Sequence, residues 1–165
     1  MLEPGPPPRE RPYLDEVDRE LLAALQVDGR RSVASLARDC GLAESTCAGR
    51  LRSLVDRGVI EGFHAAIDPA ALGLAVEAMV AIRITGHTRT QVEDFRDSVA
   101  AVPGVLTIYN TSGANDFLVH VATVGADALR AFVLDHLASR PEVAHAETSL
   151  IFEATRGAGL IAPPA

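Results

Sequence analysis

Two junctions in the second half of the chain read almost alike, Val102-Pro103-Gly104-Val105 and Arg140-Pro141-Glu142-Val143. Each follows a helical stretch and precedes a run with strand character, and its proline stops the helix at a fixed place. Before the first junction, Thr88 to Val102 carries Val92, Phe95 and Val99 at helical spacing. Before the second, Ala126 to Ser139 reads as another helix. Ala75 to Thr85 alternates with a period of two and places Val76, Ala78, Val80, Ile82 and Ile84 on one face. Val105 to Asn110, Phe117 to Val124 and Val143 to Ala154 supply three more strands, with Ser112-Gly113-Ala114-Asn115 as the turn between the first two of these. The order is β-α-β-β-α-β, in two matching halves. It points to a ferredoxin-like sandwich, two helices on one face of an antiparallel sheet.

Such a sandwich leaves its other sheet face bare. The first strand places Glu77, Met79, Ala81, Arg83 and Thr85 there, and the third is apolar on both sides, with Phe117, Val119 and Val121 on one and Leu118 and Ala122 on the other. An uncovered apolar face of that extent marks an interface, so a homodimer packed sheet against sheet is expected. The alternative cover is residues 155–165 folding back, but with Gly157, Gly159 and two closing prolines they make a poor lid.

The first half has a different rhythm. Asp15 can cap a helix whose stripe is Val17, Leu21, Leu22 and Leu25 and which ends at Asp28-Gly29. Ser32 caps a second helix running to Cys40, and Gly41 offers the positive φ that lets a chain leave a helix. A third spans about Glu44 to Arg57 and ends at Gly58, with Cys47, Leu51, Leu54 and Val55 on one side. Ser45, Gly49, Arg52 and Ser53 lie opposite, flanked by Thr46 and Arg50. Small residues let a backbone approach a groove, hydroxyls bond base edges or phosphates, and arginine neutralises phosphate or forks onto guanine. This is a helix-turn-helix pattern with the third helix as reader. The candidate DNA contacts are Arg31, Ser45, Thr46, Gly49, Arg50, Arg52 and Ser53. Arg50 has two readings at this point: a phosphate contact, or an internal partner for Asp39 or Glu44. Val59 to Ile67 reads as a strand, broken by Asp68-Pro69 and serving as linker.

Charge supports the same assignment. The chain carries −7 overall, yet residues 30–57 hold six arginines against Asp39, Glu44 and Asp56. A basic island in an acidic protein suits a local DNA-facing surface and disfavours broad binding to polyanions or membranes. Residues 1–12 contain five prolines and read as a disordered leader. Cys40 and Cys47 are expected as reduced core residues, and with no long apolar run the expected location is cytoplasmic. His64, His87, His120, His136 and His145 show no metal-site spacing, and His120 reads as a core or interface histidine. No glycine-rich phosphate loop, nucleophile context or paired carboxylates stand out, so neither an enzyme nor a cofactor is expected.

Leu14-Asp15 with Asp18, Asp28-Gly29-Arg30, Gly41-Leu42 followed by Ser45-Thr46 and Arg50, and Gly58-Val59-Ile60 resemble the opening and helix-turn-helix of the Lrp/AsnC regulators. Asp68-Pro69 with Leu72-Gly73 resembles that family's linker, and Ser112-Gly113 with Asp116-Phe117-Leu118 its effector-domain turn. The fold expected is α+β: an N-terminal helix-turn-helix three-helix domain (13–62), a linker (63–73), a C-terminal ferredoxin-like βαββαβ sandwich (74–155) and a tail (156–165). The resemblance implies binding to double-stranded promoter DNA, assembly as a homodimer and further to octamers, and response to an amino acid or related metabolite held between dimers. It carries the effector positions onto Gly113, Asp116 and Thr148, where an acid pairs an amino group and turn amides hold a carboxylate. Three departures stand out: Ala43 replaces the hydroxyl cap of the reading helix, Ala146 replaces a second hydroxyl on the last strand, and Ala114-Asn115 fill the turn. A second class of function keeps the ligand-binding and assembly domain but turns the helix-turn-helix to protein contacts; DNA binding that weakens with salt separates the two.

Overall fold

The computed structural model describes residues 13–155, 157, 159 and 160, so the expected leader and most of the tail lie outside the described residues. The chain divides into two compact units, with the boundary between Ala65 and Ala66 and the described tail residues grouped with the first.

The N-terminal unit holds α1 (Glu16–Val27), α2 (Val33–Asp39) and α3 (Glu44–Asp56). Asp15 and Ser32 cap the first two helices, each side chain accepting the backbone N–H three residues on. Leu21, Leu36, Ala37 and Cys47 form a core with Leu51 and Leu25 packed beside it, and Leu54 is also fully buried. Val55 departs from the expected apolar side and is 45% exposed. Both cysteines are free thiols, and burial pushes each above its ordinary pKa.

The strand expected over Val59 to Ile67 is absent. Residues 61–68 have no regular secondary structure, and a short 3-10 turn comes next at Pro69–Leu72. The reason is local. Gly58 turns with φ +67°, and the N–H groups of Val59 and Ile60 both return to the Leu54 carbonyl, at 2.9 and 3.1 Å. Those bonds close the end of α3, and the residues beyond Ile60 have no neighbouring strand to pair with.

The C-terminal unit holds β1 (Val76–Ile84), α4 (Arg89–Ala100), β2 (Val105–Asn110), β3 (Phe117–Thr123), α5 (Ala126–Val133) and β4 (Val143–Ile151). The sheet is antiparallel in the order β2-β3-β1-β4, as two βαβ halves require. Ala78, Val80, Ile82, Phe117, Val119 and Val121 meet Phe95, Val99, Leu129 and Phe132 from the helices in one buried core. α5 runs on into a π segment, Leu134–Ala138, where Ser139 N–H bonds the Leu134 carbonyl at 3.2 Å. On the open face Tyr109, Leu118, Ala81 and Glu147 form one cross-strand row and His120, Met79 and Ser149 another. His120 pairs there with Glu77 at 2.8 Å.

Candidate nucleic-acid interface and effector turn

Helix α3 exposes Ser45, Thr46, Arg52 and Ser53 on the side away from buried Cys47 and Leu54. Gly49 stands on the same helix, and a Cβ placed there would meet nothing within 4 Å. The surface beside it is open to an approaching groove. Arg52 has no ion-pair partner among the described residues, so its charge is available outward.

Arg50 goes to neither of the partners considered from sequence. Its Nη1 donates to Asp15 Oδ2 at 2.6 Å and to Asp18 Oδ1 at 2.9 Å, joining α3 to the start of α1. Arg57 adds Nη2 to Asp18 Oδ2 at 3.3 Å and Nη1 to the Tyr13 carbonyl at 2.8 Å. Asp18 is 6% exposed, so its two oxygens depend on these arginines. The Asp18 N–H and then the Arg50 guanidinium hold Asp15 below the ordinary carboxylate pKa, and the same carboxylates raise that of Arg50. Arg31 is likewise engaged, with Asp39 and with Ser35 Oγ at 3.1 Å. Two of the arginines expected on DNA are thus occupied within the helical unit.

The missing cap is visible as well. Ala43 is the N-cap of α3 and makes no side-chain hydrogen bond, leaving Glu44 in the first turn to complement the helix dipole. Replacing Ala43 by serine supplies an acceptor for the Thr46 N–H and is expected to raise unfolding stability by about 1 kcal/mol. A thermal melt no higher than that of the parent would contradict this.

In the C-terminal unit Gly113 turns with φ +118°. Asp116 is bound on every side: its N–H donates to the Ile82 carbonyl at 2.9 Å, and its own carbonyl accepts from Thr111 N–H at 2.8 Å and Asn110 Nδ2 at 3.0 Å. Its Oδ2 accepts the Ile84 N–H at 2.8 Å, and its Oδ1 lies 3.1 Å from His87 Nε2. Thr148 stands elsewhere. It faces Val80 in the β1–β4 ladder, toward the helices, and lines a cavity of about 460 Å³ with Leu129, Arg130, Val133, Leu134 and Leu150. Within one chain, Thr148 and the Gly113–Asp116 turn do not meet. Sequence reasoning misses Asp15 and Asp18 as partners of Arg50, and His87 as a partner of Asp116. Contacts across 29 to 35 residues leave no local spacing to read. Among the described residues no group of three or more His, Cys, Asp or Glu side chains could hold a metal ion.

Comparison with known proteins joins the two halves. An AsnC-type helix-turn-helix domain matches residues 14–55, and an Lrp/AsnC ligand binding domain matches residues 77–158. The HTH-type transcriptional regulator AldR of Mycobacterium tuberculosis is 43% identical over 148 residues, 90% of this chain and 83% of that protein. The chain belongs to the Lrp/AsnC family. It is a helix-turn-helix transcriptional regulator, and both parts expected of an Lrp/AsnC fold are present. The crystal structure of MtbAldR superposes with a TM-score of 0.78 at 39% identity, covering 93% of this chain and all of that one. A transcriptional regulator from Neisseria meningitidis, solved as an L-Met complex, gives 0.80 at 30% identity, covering 88% and 94%.

Proposed function

We propose that this regulator reads promoter DNA through the exposed face of α3 and responds to an amino acid or related metabolite bound at the Gly113–Asp116 turn. The observation that carries the DNA half is the division of α3: Cys47 and Leu54 are buried while Ser45, Thr46, Arg52 and Ser53 are exposed. The expected test result is specific binding to the protein's own promoter region that weakens steeply with salt. Arg52→Ala lowers the affinity and reduces the slope of log affinity against log salt by about one, the signature of a lost phosphate contact. Binding that ignores both salt and Arg52 would defeat the proposal.

The effector half draws on a structural relative whose complex contains L-Met. An effector's amino group pairs the Asp116 carboxylate, and the amides about Gly113 take its carboxylate. Thr148 joins the site only from a second chain, since its own Asp116 lies beyond reach along β1. Two chains packed through the open sheet face, with Tyr109, Leu118, Ala81 and Met79 toward the partner, give the assembly two α3 helices for a pair of half-sites one or more helical turns apart. Dimers then assemble further, to octamers, and the effector shifts the balance among assemblies. The protein acts in the cytoplasm as a DNA-binding regulator without catalysis. Among the described residues no helix is long and apolar enough to cross a membrane.

A further inference from the structure

We propose that His87 occupies, in the effector-free protein, the place on Asp116 that an effector's amino group must take, and so sets how tightly and which amines bind. The inference rests on the reading of Asp116 as an effector ligand. It starts from the state of that carboxylate. Its Oδ2 accepts the Ile84 N–H at 2.8 Å, just past the last β1–β3 pair, Ile82 with Phe117, and so holds the end of β1. Oδ1 makes no bond to the backbone and is the freer oxygen for a ligand, and the imidazole of His87 stands on it at 3.1 Å. The carboxylate accepts and never donates, so His87 Nε2 carries the proton of this bond. A ring N–H therefore already supplies what an ammonium group would bring.

The two residues differ in how firmly they are held. The Asp116 side chain is 21% exposed and anchored by its backbone on both sides, whereas the His87 side chain is 64% exposed. His87 lies between the end of β1 and Thr88, the capping residue of α4, in the link from strand to helix. The Thr88 cap and its reciprocal bond with Gln91 fix the backbone next to it while the ring projects into solvent. The ring can therefore swing off Oδ1 without disturbing a core contact. Displacing it costs one solvent-exposed hydrogen bond. Amines that fail to replace that bond with a comparable charge-assisted one are rejected, which favours a primary ammonium over a neutral or bulky substituted amine.

The test uses the full chain and its His87→Ala, Asp116→Asn and doubly substituted forms, titrated with each of the proteinogenic amino acids by calorimetry. Removing the ring is expected to tighten the Kd of a responding amino acid about two- to fivefold, the range of an exposed ion pair. In the Asp116→Asn background the same removal has no effect. The His87 imidazole resonances move on saturation of the parent protein, a change that a merely structural histidine would not show. An amino acid that binds the parent chain and binds His87→Ala no better overturns the inference and leaves the effector reading standing. Binding by none of the four proteins to any amino acid overturns both.

Discussion

Asp18→Asn is expected to lower the stability of the helical unit by about 2 to 3 kcal/mol, below the range for breaking a fully buried pair because its arginines are partly exposed. The side chains of Arg50 and Arg57 are 32% and 35% exposed against 8% for Asp18. The substitution keeps shape and removes the charge they share. DNA affinity falls with it, since α3 loses its tie to α1, but the salt slope stays as in the parent. Arg50→Met has the same signature and contrasts with Arg52→Ala, which changes the slope. A reduced slope for Arg50→Met with an unchanged melting temperature would return Arg50 to the phosphate. Acid acts on the same cluster. The folded pKa of Asp15 lies below its unfolded value, so its contribution is complete above the ordinary carboxylate range and is lost as pH falls through the lowered folded value.

Phe95→Ala is expected to cost the C-terminal unit about 3 to 5 kcal/mol, the range for deleting a large core ring. Phe95 is 2% exposed; its ring centroid lies 4.8 Å from that of Phe117, and the Arg140 guanidinium carbon lies 5.6 Å above it. Phe117 follows Asp116 directly, so the void opens beneath the Gly113–Asp116 turn. Any thermal shift produced by an amino acid should shrink in this variant along with the melting temperature. Phe95→Leu retains most of the packing and is expected to lose less than half as much. Denaturant melts followed by circular dichroism decide it, and a loss below about 1 kcal/mol would mean that the core closes over the gap.

The sandwich was legible because its signals are local: a period of two in β1, a helical stripe over Val92, Phe95 and Val99, helix stops at Pro103 and Pro141, and the turn at Gly113. The caps at Asp15 and Ser32 were equally local, each reaching a backbone N–H three residues on, while the Thr88 cap of α4 went unread although its spacing is the same. What escaped was decided at a distance. Arg50 chose Asp15 and Asp18 over Asp39 and Glu44, a choice made by how α1 lies against α3. The false strand at Val59 to Ile67 had β-prone residues but no neighbour to bond. Thr148 and Asp116 resemble one site in sequence order, yet β1 separates them, because a ladder position fixes where each side chain points. The π segment at Leu134–Ala138 has no pattern that distinguishes it from an ordinary turn of helix.

The position of β1 in the sheet also sets a timetable. β1 is the first strand made and a central one, and its two neighbours, β3 and β4, come later; Val80 finds Val119 on one side and Thr148 on the other. The helical core, by contrast, closes among residues that all precede Ile60. During synthesis the three-helix core can close while β1 still presents bare edges to both sides. The newborn chain therefore closes its three-helix core before its sheet, and in that interval β1 offers unpaired hydrogen-bonding edges on the two sides that β3 and β4 finally cover.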